Sequence, residues 1–158
     1  MKFNCNRKFV IFSALTLVWM AVIFLFSAQN GEESSGLSAR LLEFLCGIFR
    51  CRPAEDTREL LTLMLRKAAH MTEFGILALL WLGTLRSGFG GSRLHYPIAF
   101  AAASLCGAAD EIHQLFVSQR AGRATDWLID SAGALLFLGA AFLAALVRKS
   151  ARKSPDNL

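Results

Sequence analysis

Two apolar runs, at residues 96–117 and 126–147, flank a stretch at 108–130 that carries Asp110, Glu111, His113, Gln114, Arg120, Arg123, Asp126 and Asp130. Few folds hold both features at once. An ionisable side chain at mid-bilayer costs from about 2.5 kcal/mol upward, so such residues pair, line a wet cavity and mark function. The apolar runs therefore read as supports for a polar cluster near their shared end.

Two further runs complete the set. Residues 9–28 and 67–85 also approach the roughly 20 apolar residues needed to cross a bilayer. With 54% hydrophobic and only 18% charged content, 158 residues read as one domain, residues 1–158. The expectation is an all-α integral membrane protein with four transmembrane helices. Between the first two lies an outer loop at 29–66, opened by a turn-like Asn-Gly-Glu-Glu-Ser-Ser-Gly, and a basic tail at 148–158 follows the last. In that loop Leu37, Leu41, Leu42, Leu45 and Phe49 recur at helical spacing, as do Leu60, Leu61, Met64 and Leu65 after Pro53. One or two amphipathic helices lying along the interface are predicted there. Cys46 and Cys51 are close enough in sequence to pair if the outer side is oxidising, whereas Cys5 and Cys106 have no evident partner. The first run follows Lys2, Arg7 and Lys8, but Phe26 spoils the small-x-small pattern of a cleavable signal, so it reads as a retained helix.

Charge sets the expected orientation. With the N-terminus inside, the cytoplasmic side holds Lys2, Arg7, Lys8, Arg86, Arg93, Arg148, Lys149, Arg152 and Lys153, opposed only by Asp156. Both termini are thus expected in the cytoplasm of an inner-membrane, multi-pass protein. The net charge of +5 then needs no nucleic acid to explain it.

In this topology every unusual polar residue meets on one side. Gln29 closes the first helix. Lys67, His70 and Glu73 follow one another at three-residue spacing, so they form a stripe on the second. Asp110, His113 and Gln114 share a face of the third, with Glu111 about 100° round the helix. Two carboxylates at a helix C-terminus oppose its dipole, and Lys67, Arg120 and Arg123 are the candidate partners. Asp126 and Asp130 stand one turn apart on the fourth, where helix capping and the positive end of the dipole offer an equally good structural reading.

The set Phe26-Ser27-x-Gln29, Lys67-x-x-His70-x-x-Glu73, Asp110-Glu111-x-His113-Gln114-x-Phe116 and Arg120-x5-Asp126-x3-Asp130-x-x-Gly133 resembles the VanZ-like proteins over nearly the whole chain. The resemblance implies a bacterial inner-membrane protein of a family whose founding member is associated with teicoplanin resistance. The long first loop with its two cysteines departs from that pattern.

Three functional classes fit the cluster. The preferred one is a membrane-embedded hydrolase or transferase acting on a membrane lipid or lipid-linked envelope precursor. Its candidate catalytic residues are His70, Glu73, Asp110, Glu111, His113, Asp126 and Asp130. Lys67, Arg120, Arg123, Gln29 and Gln114 are candidate substrate contacts. A divalent metal held by His70, Glu73, Glu111, His113, Asp126 and Asp130 is a less favoured variant, since H-x-x-E and E-x-H match no established zinc spacing. The alternatives are a lipid or proton binder or transporter, and a buried ion network that only fixes helix packing.

Overall fold

The computed structural model describes residues 3–152, and these form five helices with no strand. Lys2, Lys153 and Asp156 of the expected inner charge set lie outside the described residues.

α1, Arg7–Ser27, begins where the Asn6 side chain accepts the Phe9 backbone N–H at 2.9 Å. α2, Gly31–Phe49, starts after only three intervening residues, because Asn30 and Glu33 form a reciprocal capping box. The turn expected at this point is therefore a helix start. The helix ends at Arg50 in the left-handed conformation, φ 52°.

α3, Glu55–Phe89, corrects the sequence-based boundaries most. The leucines at 60–65 do not form a separate interfacial helix; they are the first turns of one 35-residue helix. Its length is about 52 Å at about 1.5 Å per residue, well beyond a roughly 30 Å hydrocarbon core. No Pro or Gly interrupts residues 55–74, so nothing breaks the backbone where the pattern changes from amphipathic to apolar. α2 folds back against this extension as an antiparallel hairpin. Glu43 pairs with Arg58, and Arg66 donates to Ser35 at 3.4 Å. The outer region at 29–66, expected to hold one or two amphipathic helices, thus holds α2 and the first turns of α3, with Cys46 and Cys51 as free thiols where the two join.

α4, His95–Gln114, and α5, Ala124–Ala151, follow. Three helices, α1, α3 and α5, are long and apolar enough to cross a membrane. α4 is the difference from the expected four. It is 20 residues long, but small residues interrupt its apolar pattern and it closes on Asp110, Glu111, His113 and Gln114.

α3 is the hub. It packs most extensively on α5, then on α1, α4 and α2. Phe74, Leu77, Ala78 and Leu82 of α3 meet Ile23, Ala99, Ala103, Ala134 and Leu138 in the core. Close approach rests on small residues: at Gly133 an added Cβ would run into the Met71 backbone, so α5 crosses α3 almost in backbone contact. Hydroxyl pairs tie the remaining seams, Thr16 with Thr84 at 3.1 Å and Ser104 with Ser131 at 2.9 Å. Outward faces carry Leu17, Val18, Leu25, Leu105, Leu135, Leu143 and Val147, all exposed. Apolar surface of that extent marks contact with lipid or a partner.

Candidate functional site

The helical register of α3 places Arg66, Lys67 and His70 on one wall of a cavity of about 270 Å³. Glu111 and Gln114 from the end of α4 form a second wall, and Asp126, Ile129 and Asp130 from α5 a third. The α4–α5 loop closes it with Gln119, Arg120, Ala121 and Arg123. Residues distant in sequence thus converge.

The loop is held by its own bonds. Glu111 accepts the Arg123 backbone N–H at 2.7 Å, and Gly122 lies so close that a Cβ there would meet the Glu111 carbonyl. Gln119, at φ 59°, donates from its side chain to Glu32 at 2.9 Å, and the Ser118 carbonyl accepts the Gly31 N–H at 3.4 Å. Arg120 donates through Nε to the Gln29 carbonyl at 3.2 Å. The turn between α1 and α2 therefore fixes the loop that covers the cavity.

Partners differ from those expected for the carboxylates. Lys67 pairs with Asp126 at 2.5 Å, not with Asp110 or Glu111. Asp126 lies in the first turn of α5 and does not cap it; the N-cap is Arg123, without a side-chain bond. Glu111 is satisfied by the Arg123 backbone, and Asp110 accepts from Gln114 at 2.9 Å. Gln29 contributes its carbonyl. Among the described residues, no carboxylate lies within salt-bridge distance of Arg66, Arg120 or Arg123. Burial pushes the Arg120 guanidinium below its ordinary pKa, Arg66 acts in the same direction, and Asp110, Glu111 and Glu73 oppose both. Arginine stays charged regardless.

Two groups in the cavity wall keep buried polar atoms without partners, His70 Nδ1 and Asp130 Oδ2. Asp130 is 2% exposed. Buried orphans are few in folded proteins and concentrate where structure yields to function. Glu73 stands 3.7 Å from His70 Nδ1, too far for a hydrogen bond, and is not in the cavity wall. His113 departs further: its ring stacks on Phe24 with centroids 4.4 Å apart and lines a separate apolar groove, as does Asp110. The reason is the helical sweep: Asp110 and His113 line the groove beside α1, Glu111 lies about 100° round in the cavity wall, and Gln114, between them, lines the cavity while bonded to Asp110. Among the described residues, no three of His, Cys, Asp and Glu gather as a metal-holding group, the six candidate donors included.

The chain matches the VanZ/LLP1 family model over residues 12–146, which span all the convergent residues. It belongs to the VanZ/LLP1 family. No curated protein and no solved structure matches it. For this VanZ/LLP1 chain the cavity also contains residues that sequence patterning did not select: Arg66, Gln119, Ala121 and Ile129. Arg66 precedes His70 by four residues, and Ile129 follows Asp126 by three, so helical spacing held the signal for both. Gln119 had none, since its place depends on a left-handed loop residue.

Proposed function

We propose that the cavity binds the phosphate or pyrophosphate headgroup of a membrane lipid or lipid-linked envelope precursor, and that the protein is a hydrolase or transferase acting on it. The carrying observation is the ring of Arg66, Arg120 and Arg123, three guanidinium groups at one cavity without carboxylate partners. Guanidinium forks match phosphate oxygens in pairs, and stranding three of them around a cavity is unfavourable unless an anion joins them.

His70 and Asp130 supply the acid–base pair in this reading. His70 takes the proton of the attacking water or hydroxyl as that oxygen bonds to phosphorus. The phosphorus–oxygen bond to the leaving group breaks, and the departing oxygen is protonated by a cavity carboxyl, a role assigned to Asp130. Lys67 is held by Asp126 and completes the cationic wall.

The same reading has α4 as a fourth crossing, both termini in the cytoplasm of the inner membrane, and the cavity at the outer leaflet. The one-sided polar residues and the basic Arg148 and Lys149 at the far end of α5 support that orientation. A glycopeptide phenotype would then be a consequence of altered envelope lipid, measurable as teicoplanin susceptibility. The deciding experiment compares envelope lipids by mass spectrometry in cells with and without the protein, alongside binding of inorganic pyrophosphate to the purified chain. A phosphorylated lipid that accumulates on deletion and falls on re-expression supports the enzyme. Pyrophosphate binding with an unchanged lipid profile leaves a binder or transporter, and absence of both leaves a structural ion network.

A further inference from the structure

A second, apolar groove of about 230 Å³ runs beside the polar cavity, between α1, α3 and α4. Met20 and Phe24 form its α1 wall, Leu77 its α3 wall, and Cys106 and Ala109 its α4 wall. At one end stand Asp110 and His113, and along α4 this is the end that leads to the polar cavity. Asp110 belongs to the groove and Gln114 to the cavity, and one hydrogen bond of 2.9 Å joins them. That side-chain pair joins the lining of an arginine-ringed space to the lining of an apolar one.

From this juxtaposition we infer that the groove holds one hydrocarbon chain of the same amphiphile whose anionic headgroup fills the cavity. The inference rests on the headgroup reading above. Apolar walls alone would accept any hydrocarbon, but the adjoining Arg66, Arg120 and Arg123 select a chain attached to an anion. The small volume, about 230 Å³, suits one chain in preference to two. Phe24 and Ile112, 52% and 59% exposed near the groove's polar end, leave apolar surface over which a chain can enter sideways from lipid. The substrate class is thus a long-chain phosphate or pyrophosphate ester, bound with its phosphorus among the arginines and the first methylenes between α1 and α4.

The test uses the purified full chain in phosphatidylcholine vesicles, with dodecyl phosphate carrying a photoreactive diazirine on its chain, and inorganic pyrophosphate as the chain-free probe. Crosslinks should concentrate on Met20, Leu77 and Cys106 and be displaced by unlabelled dodecyl phosphate. Ala109→Phe fills the groove from an exposed α4 position; it should weaken dodecyl phosphate binding about tenfold, as exclusion of two methylenes would. Pyrophosphate binding should stay as in the wild type. Met20→Trp fills the same space from the opposite wall and should reproduce the result, so a folding failure of one variant leaves the other decisive. Crosslinks spread equally over Leu128, Leu135 and Leu143 on the outward face of α5 overturn the chain site. Pyrophosphate binding with no groove labelling overturns it alone, whereas loss of binding for both probes in the wild type overturns the headgroup reading with it.

Discussion

Arg120 spends its Nε on the Gln29 carbonyl, which leaves the terminal nitrogens of its fork for an anion. A lysine in its place keeps a charge but loses both the anchor and the paired geometry. Arg120→Lys should therefore fold and accumulate normally while binding pyrophosphate about tenfold to a hundredfold more weakly, the range of one charge-assisted hydrogen bond at roughly 1.5–3 kcal/mol. Isothermal titration of the two proteins checks this, and equal affinities would remove Arg120 from the clamp. Asp130 makes the complementary case. It is almost fully buried with Oδ2 unpartnered, a costly state for a carboxyl that serves only packing. Asp130→Asn should abolish lipid turnover while raising thermal stability, on the order of 1 kcal/mol, because a functional group held against its solvation preference is relieved by a neutral isostere. A variant that is both active and unchanged in melting temperature contradicts the assignment.

At the scale of elements, the cavity depends on how closely α3 and α5 cross. Met71 lies one residue after His70, and Gly133 lies three after Asp130, so the contact that sets the helix separation sits beside the two orphaned groups. Gly133→Ala puts a methyl against the Met71 backbone and should cost about 1–3 kcal/mol, the usual penalty for overpacking. Gly139→Ala lies on the same helix with open space around it, so helix propensity alone acts there and should stabilise by up to about 1 kcal/mol. Opposite shifts of melting temperature in detergent are expected for the pair. Similar shifts for both would show that helix propensity, not the α3–α5 crossing, controls stability here.

At the scale of the molecule, the polar residues gather at one end of the bundle, where α1 ends, α4 ends and α5 begins, while the α2–α3 hairpin extends beyond it. Ser118 is exposed on the loop over the cavity and reports which side of the membrane that end occupies. In a chain whose four native cysteines are replaced, Ser118→Cys should react with an impermeant maleimide in intact cells. Reaction only after permeabilisation would put the cavity in the cytoplasm and remove outer-leaflet substrates from consideration.

Helical class and the identity of most cavity residues were legible in the chain, because both depend on local spacing: Lys67 with His70, and Asp126 with Asp130, share helix faces whatever surrounds them. Side-chain pairing was not. Whether Lys67 meets Asp126 or Asp110 depends on the rotation and separation of three helices, which long-range contacts such as the approach of Gly133 to the Met71 backbone set. The same rotation sends His113 to Phe24 instead of to the arginines. Nor could periodicity show that residues 55–66 continue into α3, since an amphipathic turn and an apolar turn obey one backbone geometry and differ only in what they pack against. Sequence alone determined which residues were costly to bury; tertiary packing decided which of them were left without partners, because only packing removes the water that would otherwise satisfy them.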